Sequence, residues 1–301
     1  MNLPAYSIVI ATRNRPVSLA RTLESVRAQT RQPEQIIIVD SSTDAQTGAV
    51  VKEQFMDLAC RHIPVTSPGA ASQRNLGAES VQTPLVAFID DDVILKPDMF
   101  AELVQVFAQD DQARVGGVSA RIEGLSHSPP GTLTRWYYRL QAGYDHPDYG
   151  GKLFGPAINC LPCYRDDQPA LIEADWLNAG GTMYRTELFL REKFPDFPGY
   201  SHMEDVHLSA RIGRTHKLFF HRYAAYQHLD ETGDWKKDVI ALTRLKWKNQ
   251  KKVAREILGL SGWPLLWKFF LHRLFVTFSI LKNGSRGRWR EIRGIWTSFA
   301  E

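Results

Sequence analysis

Leu85-Val86-Ala87-Phe88-Ile89-Asp90-Asp91-Asp92 is the most informative stretch of this chain. Five apolar residues in a row read as a strand buried on both faces, as in a parallel sheet. The run then stops at three carboxylates. Side chains alternate along an extended backbone, so Asp90 and Asp92 are expected on one side and Asp91 on the other. Two anions ~4 Å apart repel by about 4 kcal/mol at an effective dielectric of ~20. A cation between them relieves that repulsion, and hard oxygen ligands suit Mg²⁺ or Mn²⁺. A solvated acidic turn after a core strand is the plainer reading of the same residues.

Upstream, the pattern repeats. Ser7-Ile8-Val9-Ile10-Ala11 is a buried strand that ends at Thr12-Arg13-Asn14-Arg15-Pro16. Pro16 suits the first turn of a helix, and Leu19, Leu23 and Val26 follow at helical spacing. Gln35-Ile36-Ile37-Ile38-Val39-Asp40 is a second apolar strand finishing on a carboxylate, and a third is expected near Arg61–Val65. Ala70–Glu79, which contains Gln73-Arg74-Asn75, reads as a helix leading into the acidic strand. Strands alternating with helices at this spacing predict an α/β protein with a doubly wound, mostly parallel sheet. Ligands of such sheets collect beyond the strand carboxyl ends, where Thr12, Arg13, Asp40 and Asp90–Asp92 all fall. Neither Gly-x-Gly-x-x-Gly after the first strand nor Gly-x-x-x-x-Gly-Lys-Ser/Thr occurs. Phosphates must then be met by a cation and arginines rather than by a glycine cradle.

The ordered set Ser7–Arg13, Ile36–Ser42, Arg74-Asn75 and Phe88–Asp92 resembles the N-terminal half of a family 2 glycosyltransferase. The resemblance extends over about residues 5 to 230 and implies a GT-A fold using a nucleotide-sugar and a divalent metal, Mn²⁺ or Mg²⁺. It implies that Thr12 and Asp40 contact the base, that Arg13 and Arg74 lie near the nucleotide, and that Asp90–Asp92 hold metal and ribose. Further on, Asp175-Trp176 and the Gly180-Gly181 turn match the family's donor-sugar and acceptor pocket. Asp175 and Trp176 contact sugar on this reading; the alternative for Trp176 is the core. The Glu204-Asp205 pair opens a helix, where acidic residues complement the helix dipole in any protein. By resemblance it is the catalytic pair, with Asp205 as general base and Glu204 supporting it or binding acceptor. A histidine at this distance after the base completes the metal shell in some relatives, which points to His228, with His221 in reserve. An imidazole among carboxylates leans towards Mn²⁺. The Gln-x-x-Arg-Trp motif of processive synthases is absent, so transfer of a single sugar is expected.

The rest of the chain sets context. Its 301 residues are 44% hydrophobic and 23% charged, which suits a full-sized core. A net charge of +4 does not argue for nucleic acid. Cys160-Leu-Pro-Cys163 lacks a second pair for a zinc ribbon and reads, with Cys60, as reduced and structural. Met1-Asn2-Leu3-Pro4 leads straight into a strand without a signal-peptide pattern, so the expected location is cytoplasmic. Residues 124–167, with Trp136-Tyr137-Tyr138 and Tyr144, read either as an acceptor lid or as aromatics packing a small helix. Domain bounds follow: a catalytic domain over 1–230, its nucleotide half about 1–120 and acceptor half about 121–230, then a helical extension over 231–301. That extension is basic and aromatic. Lys268, His272 and Arg273 interrupt the apolar Trp263–Leu281, which argues against a full membrane span and for an interfacial helix on anionic lipid. A helical extension packed on the catalytic domain, or a homo-oligomer contact, is the rival reading.

The expected reaction is inverting transfer from a UDP-, dTDP- or GDP-sugar to a hydroxyl of a glycan or lipid-linked acceptor. Two other classes remain. A nucleotidyltransferase would want a glycine-rich loop after the first strand, and Thr12–Pro16 has no glycine. A non-catalytic sugar-nucleotide or lipid-binding module would have no use for Asp205.

Overall fold

The computed structural model describes residues 3–125, 128–197, 202–229, 238–283 and 288–298. The sequence expectations placed on Gly199–Ser201, Trp235, Lys236, Lys237 and Arg286 lie outside these residues. The first half alternates regularly: β1 (Tyr6–Thr12), α1 (Pro16–Arg27), β2 (Gln35–Asp40), α2 (Gln46–Gln54), β3 (Cys60–Pro64), α3 (Ala70–Ala78) and β4 (Leu85–Ile89). There follow β5 (Val93–Leu95), α4 (Met99–Ala108), β6 (Val115–Ile122), α5 (Thr132–Ala142), a small hairpin of β7 (Leu153–Phe154) and β8 (Ile158–Asn159), and β9 (Leu171–Ala174). The domain closes with β10 (Gly181–Arg185), α6 (Thr186–Glu192), α7 (Glu204–Ile212) and β11 (Lys217–His228). The described residues of the extension form α8 (Val239–Glu256), α9 (Gly262–Asn283) and α10 (Arg288–Thr297).

The main sheet runs β3-β2-β1-β4-β10-β6-β11-β5, with β9 paired to β11. Its first four strands are parallel. Beyond β4 the sheet is mixed, because β10 lies antiparallel to both β4 and β6. The continuous apolar strands are explained by burial on both faces. Ile8, Ile10, Ile36, Ile38, Ala87 and Ile89 pack under α1, α2 and α4, while Val9, Ile37, Val39, Val86 and Phe88 pack under α3, α6 and α7. Helices therefore cover both faces, which is the doubly wound arrangement. Gly77 marks how closely α3 lies on the sheet: a Cβ there would sit 2.5 Å from Val9 Cγ1.

Val115–Ile122 is an eight-residue strand onto which Gly116 and Gly117 let His216, Ile212 and Tyr184 lie close. Residues 175–180 link strands with different neighbours, since β9 pairs with β11 and β10 with β4 and β6. The aromatic insertion is largely a small core. Tyr137, Tyr149, Phe154, Ile158 and Cys160 cluster there, and Tyr137 stacks on Phe275 of α9 at 3.9 Å. Trp136 stays outside, 62% exposed. All three cysteines are free, with Cys160 and Cys163 buried.

The extension packs onto the domain. Trp247, Val253, Leu265, Phe269 and Ile295 join the core on the α7 side of the sheet. Asn249 Nδ2 donates to His202 O at 3.1 Å, just ahead of α7. His272 ties three helices together. Gln250 Nε2 lies 3.2 Å from its Nε2 and can only donate, which leaves the ring proton on Nδ1, 2.7 Å from Tyr137 Oη.

Candidate active site

The sheet edge formed by the carboxyl ends of β1, β2 and β4 carries the acidic triplet. β4 stops at Ile89, so Asp90–Asp92 form a turn into β5 and strand alternation does not set their directions. Turn geometry and partners set them. Thr12 Oγ1 donates to Asp91 Oδ2 at 2.7 Å, and Arg15 Nη1 spans Asp91 Oδ1 at 2.9 Å and Asp92 Oδ2 at 3.0 Å. Asp91 is thus turned inward, and burial pushes its carboxyl up to about 6 against the pull of Arg15 and Thr12. β5 pairs antiparallel with the end of β11, placing His228 opposite Val93. That register brings His228 Nε2 to 3.4 Å from Asp92 Oδ1 and 3.9 Å from Asp90 Oδ2.

Asp90, Asp92 and His228 each offer a ligand atom, all within 4.8 Å of one another. Burial, then the neighbouring Asp90 anion, raise the Asp92 pKa, while His228 and Arg15 pull it down. Two carboxylate oxygens and one imidazole nitrogen suit Mn²⁺ or Mg²⁺, so these three residues fit a divalent cation. His221 does not join them. Its ring is buried, its Nδ1 accepts from the backbone N–H groups of Tyr223 and Ala224, and its Nε2 faces Glu102.

α3 carries the link to the second acidic pair. Arg74 is buried and donates through Nη2 to Asp90 Oδ1 at 2.5 Å, while its Nη1 lies 3.7 Å from Glu204 Oε1. Glu204 and Asp205 open α7, after Met203 takes a left-handed φ of +70°. Both carboxyls are shifted upward, chiefly by burial, with Asp205 also repelling Glu204 and Arg74 opposing the shift in both. They differ in access: Glu204 is 5% exposed, whereas Asp205 is half-buried with Oδ1 accepting from Val206 N at 2.8 Å.

The loop into β10 completes the edge, since antiparallel pairing sets Gly181 opposite Ile89. A Cβ on Gly180 would lie 2.6 Å from Asp90 Oδ2, and one on Gly181 would lie 2.4 Å from Tyr226 Cε1. Both glycines are required by close approach to the acidic turn and to the tyrosine behind it. Asn178 holds that tyrosine, with Nδ2 2.7 Å from Tyr226 Oη. Leu177 N donates to Ser209 Oγ at 3.0 Å, fastening the loop to α7.

Other residues lie elsewhere than their sequence roles suggest. Trp176 is a core residue, 4% exposed, with its indole N–H on Cys160 O and its ring edge-on to Phe220. It offers no sugar platform. Asp175 accepts from Leu153 N at 3.0 Å and from Lys152 Nζ at 3.3 Å, bracing β7. Asp40 is buried, with Oδ1 taken by Ser42 and Oδ2 3.0 Å from His62 Nε2. Arg13 is exposed on the loop, and Arg15 is the arginine that meets the carboxylates. Arg15 stands in a quoted motif, but only the turn geometry before Pro16 reveals its aim. Gln73 was equally hidden: its amide bonds Thr12 O, Val39 O and Ser41 Oγ, joining the ends of β1 and β2.

A parallel α/β half, an antiparallel strand beside its acidic edge strand, and a cation-fit cluster there define the GT-A class of fold. The chain belongs to glycosyl transferase family 2, whose family model matches residues 7–161. EpsH of Bacillus subtilis (strain 168), described as a glycosyltransferase, is 25% identical over 229 residues, covering 73% of this chain and 66% of that protein. The glucosyl-dolichyl phosphate glucuronosyltransferase of Haloferax volcanii is 33% identical over 116 residues, 37% of each chain. The matches therefore span two thirds or less of these relatives. Among solved structures, GalNAc-T7 with UDP, GalNAc and Mn²⁺ superposes with a TM-score of 0.60 at 17% identity, over 86% of this chain and 52% of that one. TarS 1-349 of S. aureus in complex with UDP-GlcNAc gives 0.54 at 15% identity, over 91% and 72%. At such identities the likeness establishes the fold.

Proposed function

We propose that the protein transfers a sugar from a nucleoside diphosphate sugar to a hydroxyl of a glycan or lipid-linked acceptor, with inversion at the anomeric carbon. The observation that carries this reading is the buried Arg74, which joins Asp90 of the cation-fit cluster to Glu204 beside Asp205. One guanidinium thereby couples the place suited to a diphosphate with the place suited to a base. Asp90, Asp92 and His228 would hold Mn²⁺ or Mg²⁺, which when bound supplies charge neutralisation for the diphosphate leaving group. Thr12, Arg13, Asp40 and Asp91 are the nucleotide-side residues of this proposal, with Asp40 needing to release Ser42 or His62 to meet a base.

Asp205 is the proposed general base. An acceptor hydroxyl becomes a good nucleophile only as a carboxylate within ~3 Å takes its proton. Asp205 is the more accessible of the pair, and Glu204, held by Arg74, keeps the negative charge of its neighbour positioned. Gly180 and Gly181 give the donor sugar a wall without side chains. The UDP in the two solved neighbours makes uridine donors the first to test. A donor panel followed by nucleoside diphosphate release with Mn²⁺ and a hydroxyl acceptor is the direct assay. Release with no donor in the panel, under conditions where the protein is folded, counts against the proposal.

A further inference from the structure

α9 has two unlike faces. It is 22 residues long, about 33 Å, and holds an 18-residue window with a mean hydropathy of 1.3, long and apolar enough by composition to cross a membrane, yet only 17% of that window is buried. Trp263, Trp267, Phe270, Leu274, Phe278 and Leu281 recur at helical spacing along one exposed stripe, from 73% exposure at Trp263 to 37% at Phe270. The three cationic interruptions all lie on the other face. Lys268 Nζ donates to Gln141 O, His272 bonds Tyr137 and Gln250, and Arg273 is buried with Nε on Ile295 O. The outward stripe is therefore free of charge, and a patch this large on a folded chain needs a cover. Those same inward contacts hold α9 to α5, α8 and α10 along its length, which a transbilayer position would have to break.

Charge tells what covers the stripe. Trp296 of α10 meets Phe270 edge-on at 6.4 Å and donates to Thr277 Oγ1, so α10 borders the stripe. Trp289, Arg293 and Trp296 follow one another at helical spacing on α10, and Arg290, Arg293 and Lys282 are exposed. From residue 231 onward the sequence holds fifteen Lys and Arg against six Asp and Glu. A basic rim repels a second copy of itself and attracts anionic headgroups, while exposed tryptophans favour the interface depth of a bilayer.

We propose that the outward face of α9, continued by α10, seats the protein on an anionic lipid bilayer surface without crossing it. The test reads vesicle binding and involves no sugar transfer, so it stands or falls separately from the proposed reaction. The full chain is sedimented with phosphatidylcholine vesicles, with and without phosphatidylglycerol, at low and high salt. Binding is expected with the anionic vesicles at low salt, with release at high salt. Leu274→Glu with Phe278→Glu, both at exposed positions, should lower the partition at least ~10-fold. Arg290→Gln with Arg293→Gln should remove most of the preference for anionic lipid, roughly 10-fold or more. If the glutamate variant does not fold, quenching of wild-type tryptophan fluorescence by brominated lipid gives the same answer. Equal sedimentation of wild type and folded variants, or no quenching, overturns the proposal. So does a wild-type dimer that the glutamates dissociate without any vesicle binding. Retention through high salt and alkaline carbonate would mean a span and overturns it too.

Discussion

His272 makes the attachment of the extension sensitive to acid. Burial holds its pKa down, from 6.5 to about 3, with Arg273 adding to the shift. Because the folded value is depressed, folding favours the neutral ring. That contribution is complete above the unfolded pKa and is lost as pH falls below it, since the unfolded chain then binds a proton that the folded chain refuses. Between pH 7 and pH 5 the loss works out to about 2 kcal/mol for this one group. A His272→Gln variant removes the titration. It loses the stacking on Tyr137 and costs stability at pH 7, but its deficit relative to wild type should shrink by about 2 kcal/mol at pH 5. Other titrating groups are common to both proteins and cancel in the comparison. Urea unfolding at the two pH values, followed by tryptophan fluorescence, reads the difference. A deficit that stays the same at pH 7 and pH 5 would refute the reasoning, because a charged or solvent-accessible His272 gives no such change.

Three further outcomes concern the site. Transfer should require a divalent cation and be lost in Asp92→Ala, so full activity in excess chelator would exclude a role for the cation. Asp205→Asn should leave donor affinity by calorimetry nearly unchanged while transfer falls ~10²–10⁴-fold; near-normal transfer would move the base to Glu204. Gly181→Ala drives a methyl into the Tyr226 ring at 2.4 Å and should cost about 1–3 kcal/mol in thermal or urea unfolding, with transfer lowered as the loop shifts off Asp90.

The sequence made the parallel half plain because its strands are buried on both faces. Ser7–Ala11, Gln35–Asp40 and Leu85–Ile89 are unbroken apolar runs, and few structures other than a covered sheet accommodate them. The three-residue β5 was not visible, since Val93–Leu95 becomes a strand only by pairing with β11 far along the chain. The antiparallel entry of β10 was hidden for the same reason. Of the candidate cation cluster, Asp90 and Asp92 were legible from pattern and His228 from resemblance. Arg15 and Gln73 were missed because their roles depend on where a turn aims a side chain. Trp176 was open between sugar and core: a tryptophan next to an aspartate in sequence says nothing about which face of the backbone it occupies. On α9, composition registered three cations but not that all three point inward.

The order in which the sheet is assembled follows from where β11 lies. β1 to β4 are contiguous in sequence and can pair as soon as the first hundred residues exist. β11 must slot between β6 and β5, both made long before it. Pairings between such distant segments form slowly, and β5 has no other partner among the described strands until then. His228 is the last residue of that late strand. During synthesis, a nascent chain would thus carry the β1–β4 edge with its acidic turn for some time before His228 could join Asp90 and Asp92. An exposed β6 edge during that interval is also the point at which a stalled or truncated chain would be most prone to pair with another copy.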